Sequence, residues 1–60
     1  MKADEAETLL LEKGFRLIRA LGKHRIYSHG KTRVVVPYHT AKALHPKIVK
    51  QIFQAIETVS

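Results

Sequence analysis

Two rhythms of apolar and polar residues divide this chain into five elements. Near the start, Ala6, Leu9, Leu10 and the stem of Lys13 recur at helical spacing and form an expected inward stripe, with Leu11 off it. Asp4 is the expected N-cap, and Glu7 three residues later completes a capping-box-like pair. Gly14 is expected to end this helix, because a residue without Cβ takes the left-handed C′ conformation without a clash. Near the other end, Pro46 suits a first helical position. Ile48, Val49, Ile52, Phe53, Ile56 and Val59 then follow at helical spacing, the strongest periodic signal in the chain.

Between the helices the rhythm falls to two. Phe15 to Leu21 predicts a strand with Phe15, Leu17, Arg19 and Leu21 on one face and Arg16, Ile18 and Ala20 on the other. The alternation is imperfect, so which face is wet stays open. Gly22-Lys23 turns the chain into a second strand, His24 to His29, with His24, Ile26 and Ser28 opposed to Arg25, Tyr27 and His29. Gly30-Lys31 is a hairpin signal. Thr32 to Val36 is a third strand, carrying the β-prone Val34-Val35-Val36, and Pro37 stops it because it has no N–H to give a ladder. Tyr38 to Leu44 is expected to be a loop or single turn. The order α-β-β-β-α predicts one α+β domain over residues 1–60. Its three-stranded antiparallel sheet carries both helices packed on one face. The other sheet face is left for binding.

Charge sharpens that picture. Eleven Lys and Arg against five Asp and Glu give a formal charge of +6, and the distribution is uneven. No acid lies between Lys13 and Gln51, a stretch that holds all four His and every Lys and Arg except Lys2 and Lys13 themselves. A one-signed surface concentrates a polyanion and speeds its capture, which points to nucleic acid. There is no cysteine to form a disulfide or a thiolate. No apolar run approaches the roughly 18 residues of a membrane span, and the acidic start lacks the apolar stretch of a signal peptide. A soluble, cytoplasmic protein is the expectation, with no membrane partner.

No Walker loop, HExxH or Gly-rich dinucleotide turn is present. The histidines have neither metal-ligand spacing nor a supporting cysteine, so no metal site and no cofactor are expected. His24 follows a Gly-containing turn and has Lys23 and Arg25 beside it in sequence. His29, next to a hairpin turn, is expected to be a solvated surface residue, and His45 to lie exposed near the N-cap of the last helix. From the residues alone, His24 is more commonly a strand-surface histidine than a catalyst. Ideal alternation places Ile26 on its face, which leaves partial burial open. Lys42, Lys47 and Lys50, near the last helix, can meet backbone phosphates across a duplex.

The ordered pieces Gly14-Phe15, Arg19, Gly22-Lys23-His24-Arg25-Ile26-Tyr27, Val36-Pro37-Tyr38-His39, Leu44 and the helix from Ile48 to Ile56 resemble the HicA toxin family over nearly the whole chain. HicA proteins are small ribonucleases of bacterial toxin–antitoxin pairs. The resemblance implies a fold like a double-stranded RNA-binding domain and endonucleolytic cleavage of mRNA without a metal. It implies His24 as the catalytic residue and a HicB-type antitoxin that covers or crowds the site. RNA carries its own nucleophile, the 2′-hydroxyl. Cleavage needs a proton removed, a proton delivered and charge stabilised, and histidine is suited to one proton task near neutrality. Lys23, Arg25 and Arg19 are the candidates to hold the phosphate, and His39 is the candidate for the second proton role. Where the family usually has Ser before the histidine, this chain has Lys23, which supplies only donors. The alternative is a non-catalytic RNA-binding module of the same fold.

Overall fold

The computed structural model describes every residue but Thr40, which falls within the expected loop. Its elements run α1 (Ala3–Glu12), β1 (Arg16–Leu21), β2 (His24–His29), β3 (Thr32–Pro37) and α2 (Pro46–Val59), the predicted α-β-β-β-α order. The three strands form an antiparallel sheet in sequential order. Tyr27 of β2 and Val34 and Val36 of β3 are buried on one side of it with Ala3, Ala6 and Leu10 of α1 and Ile52, Ala55 and Ile56 of α2. Both helices therefore cover the same face. Every residue of β1, at the sheet edge, is exposed.

The start of α1 differs from the expected one. Lys2, not Asp4, is the N-cap residue, and the carboxylate that reaches back is that of Glu5, accepting the Lys2 N–H at 2.7 Å. Tertiary contacts fix this earlier start. Lys2 makes an antiparallel bridge to Ala43, and the Leu44 N–H donates to the Met1 carbonyl at 2.7 Å. The inward stripe is Ala3, Ala6 and Leu10, with Leu9 half-buried and Leu11 exposed. Lys13 is the exposed C-cap rather than part of the stripe.

The other end of α1 closes as expected. Gly14 has φ +91, its N–H donates to the Leu11 carbonyl, and the Phe15 N–H donates to the Leu10 carbonyl. This is the paired 6→1 and 5→2 pattern of a Schellman cap, with the buried Leu10 and Phe15 side chains at its two ends. A Cβ on Gly14 would also stand 3.1 Å from the His29 ring. His29 is thus not a solvated residue. It is half-buried over Gly14 and meets the Phe15 ring edge-on at 5.4 Å between centroids.

α2 begins at Pro46, with the His45 Nδ1 accepting the Lys47 N–H at 3.0 Å. His45 is exposed. Phe53, placed by periodicity in the stripe, is instead exposed. It sits at the margin of the arc centred on Ile52 and Ile56, where the small Ala55 takes the buried position.

Candidate nucleic-acid interface

Strand register determines which side chains share the uncovered face, because antiparallel partners project to the same side. Tyr27 points into the helix layer, so its neighbours Ile26 and Ser28 point away from it, and His24 with them. His24 pairs with Leu21 and Pro37, Ile26 with Arg19 and Val35, and Ser28 with Arg16 and Arg33. The uncovered face thus carries His24, Arg19, Arg16 and Arg33 around the apolar Leu21, Ile26 and Val35. His24 is exposed, which resolves the choice between burial and exposure left by simple alternation.

Arg19 reaches this face through an irregularity. Leu17 pairs with Tyr27 but Arg19 pairs with Ile26, so two steps along β1 match one step along β2. The extra residue, Ile18, is a β-bulge that resets the alternation. Leu17 lies on the helix side, while Arg19 and Leu21 lie on the open side. The expected common face for Phe15, Leu17, Arg19 and Leu21 is therefore broken in the middle.

The turn before His24 is tight. Leu21 and His24 are paired, leaving only Gly22 and Lys23 between them, with Gly22 at φ +58 and Lys23 at negative φ. Positive φ at the first central residue alone is the type II′ pattern, which suits the twist of a two-residue hairpin. Lys23 is exposed at its tip.

Arg25 takes the opposite direction. Paired with Val36, it lies on the helix side, where its guanidinium donates to Oε2 of Glu7 at 2.8 Å. The hydroxyl of the fully buried Tyr27 donates to that same oxygen. The Tyr27 hydrogen bond, the largest influence, holds the Glu7 carboxyl below its ordinary value; burial, next in size, opposes it, and the hydrogen bond and charge of Arg25 add to the lowering. Burial, followed by the hydrogen bond to Glu7 and then the negative charge of Glu7, pushes the Tyr27 phenol well above its ordinary range. Arg25 also lies over the Tyr38 ring, its Cζ 3.8 Å from the centroid, a cation–π contact. Neighbours in sequence, His24 and Arg25 thus face different layers.

A cleft of about 260 Å³ opens beside the hairpin tip, lined by Lys23, Tyr38, His39, Ala41 and Lys42. It exists because the ladder between β2 and β3 continues one step past Pro37, where the Tyr38 N–H donates to the Lys23 carbonyl. The chain then turns sharply, the His39 N–H donating to the Pro37 carbonyl across Tyr38. The fold therefore gathers Lys23, His39 and Lys42 around this cleft at the hairpin tip, while His24, which does not line it, shares the open sheet face with Arg19. It does not gather Lys47 and Lys50, which are exposed on α2 in the layer behind the sheet.

Glu7 and Tyr38 are the participants that pattern reading assigned to other duties. Glu7 carried a signal: it lies four residues after Ala3 and three before Leu10, so it shares their buried face and requires a partner. Tyr38 carried none, since its ring is placed by the turn after Pro37.

Among the described residues, no helix is long and apolar enough to cross a membrane. A family model described as HicA toxin of bacterial toxin-antitoxin matches residues 3–57. No curated protein and no solved structure matches the chain.

Proposed function

The chain belongs to the HicA toxin family of bacterial toxin–antitoxin systems, and on that premise we propose that it is an endoribonuclease that cleaves mRNA in the cytoplasm, with His24 as its catalytic residue. The observation that carries this reading is the exposed His24 on an uncovered sheet face, with Arg19 beside it and Lys23 at the adjoining turn. His24 moves a proton at the 2′-hydroxyl or at the leaving oxygen. Arg19 stabilises the charge that builds on the phosphate, and Lys23, at the adjoining turn, binds the phosphate. His39, on the cleft wall that Lys23 also lines, takes the other proton. Lys42 extends the phosphate track. Arg25 supports the site from behind, and Lys47 and Lys50 serve a distal stretch of RNA.

The test is incubation with RNA in excess chelator, for the wild type and for His24→Ala. Cleavage by the wild type alone is the expected result. Equal cleavage by both removes His24 from the role.

A toxin of this family acts against an antitoxin partner. We take that partner to be HicB-type, laying carboxylates and bulk over the open face. The Leu21, Ile26 and Val35 patch offers it apolar area, and Arg19 and Arg33 offer it charge. Arg19→Glu is expected to weaken that complex, and an unchanged affinity would place the antitoxin elsewhere. The second reading, a non-catalytic RNA-binding module, is favoured by Lys23: an ammonium at the hairpin tip strengthens phosphate binding but accepts no hydrogen bond.

A further inference from the structure

The cleft beside the hairpin holds more than cations. Its one aromatic wall, Tyr38, is a half-buried ring held from two directions. Its backbone N–H is bonded to the Lys23 carbonyl. One ring face is covered by the Arg25 guanidinium, which is anchored in turn by Glu7. Arg25 does not line the cleft, so the ring surface turned to the cleft is free of it. Lys23 and Lys42 border the same space, and His39 adds a second planar ring. Pro37, the residue before Tyr38, pairs directly with His24. Tyr38, one step beyond Pro37, turns with Arg25 to the helix side of the sheet, so an RNA strand with a phosphate at His24 would pass round the hairpin tip at Lys23 to bring the next base to the cleft.

From this geometry we infer that the cleft is a subsite for one nucleobase of single-stranded RNA, stacked on Tyr38, adjacent to the phosphate at His24. The inference rests on the proposed RNA chemistry of the site and specifies where a base sits. A planar base stacks on an aromatic ring whatever its hydrogen-bonding edge, while its phosphates meet flanking cations. The volume of about 260 Å³ is below that of pockets for drug-sized ligands and suits a single ring system with its sugar outside. The Glu7–Arg25 pair is what keeps the ring in place before RNA arrives, so little ordering is left to binding.

The experiment measures affinity for a short 2′-O-methyl RNA, which has no free 2′-hydroxyl to attack, and for the same oligomer with abasic sugars. Wild type, Tyr38→Phe and Tyr38→Leu are compared. Wild type and Tyr38→Phe are expected to bind the complete oligomer alike. Tyr38→Leu should bind it roughly 5- to 150-fold more weakly, the range for one lost base–aromatic stack. Wild type should lose a similar factor with the abasic oligomer, and Tyr38→Leu should scarcely distinguish the two. If Tyr38→Leu does not fold, the abasic comparison on the wild type decides alone. Full-strength binding by a folded Tyr38→Leu, or no penalty for abasic RNA, overturns the subsite while leaving the ribonuclease reading intact. A wild type that binds neither oligomer overturns both.

Discussion

Arg19 and His24 stand on one face of the sheet because a single extra residue, Ile18, interrupts the pairing of β1 with β2. Were the pairing regular, Ile18 would lie opposite Ile26 and Arg19 would turn toward the helices. The bulge re-aims a cation onto the face that carries the histidine, a common use of such irregularities beside functional sites. His24 and Arg25 show the converse. Adjacent in sequence, they are separated by the sheet itself, and only one of the two basic neighbours of His24 in the chain, Lys23, opens toward the site.

This separation predicts different consequences for two arginines that look equivalent. Arg19→Ala removes an exposed cation from the open sheet face. It should weaken RNA binding, lower the slope of log affinity against log salt by about one, and leave stability nearly unchanged. Arg25→Ala removes the partner of Glu7 and the cover of Tyr38, so its main effect should be on urea denaturation. Salt-dependent binding titrations and denaturation curves on both variants check the contrast. An unchanged salt slope in Arg19→Ala would mean that this side chain does not meet phosphate.

The hydroxyl of Tyr27 has a structural duty. It donates to the Glu7 carboxylate from a fully buried ring. Tyr27→Phe keeps the ring in the core and deletes one charge-assisted hydrogen bond. A loss of about 1–3 kcal/mol is expected, with an unchanged denaturant slope. If the loss is negligible, the Arg25 pairing alone holds Glu7.

The order of elements is readable along the chain because helix and strand leave distinct periods, and because Gly14, Gly22, Gly30 and Pro46 sit at the boundaries the structure shows. The bulge is not readable. Leu17 and Ile18 are both apolar, so an inserted residue leaves no mark on the pattern. The exposure of Phe53 is hidden in the same way, because helical spacing defines an arc without showing where the neighbouring layer ends. His24 could be singled out from its motif. The opposition of Arg25 to His24 was legible in the alternation of β2, but its partner Glu7, eighteen residues away on another element, was not.

The Glu7–Tyr27 pair also limits the pH range of stability. Glu7 is held below its ordinary 4.5, so the unfolded chain binds the proton more readily. Its contribution is present in full above that value and is lost as pH falls through the lowered folded value. Tyr27 is pushed above its ordinary 10.0, so above that pH the unfolded chain sheds a proton that the folded chain keeps. Stability should therefore fall again in alkali. Thermal midpoints across pH check both limbs, and Tyr27→Phe should flatten the alkaline one.

Gly14 is constrained twice, by φ +91 and by the His29 ring 3.1 Å from where a Cβ would stand. Gly14→Ala should cost about 1–2 kcal/mol from the left-handed conformation alone, with the contact adding to it. Combining it with His29→Ala removes the contact but not the backbone cost, so the double variant should recover part of the loss relative to His29→Ala. Full recovery would mean that the backbone conformation carries no penalty here.

Lys23 is the residue at which binding and rate are expected to part. It stands at the tip of the hairpin, exposed, next to His24 and on the cleft wall. In the proposed ribonuclease its ammonium would attract phosphate in the ground state as strongly as in the transition state, which lowers KM without raising kcat. A hydroxyl at the same place gives up that attraction but can accept as well as donate a hydrogen bond. Lys23→Ser should therefore raise KM and reduce the salt slope by about one, while kcat at saturating RNA stays level or rises. A fall in kcat together with an unchanged KM would show instead that the ammonium acts on the reacting phosphate only as its charge develops.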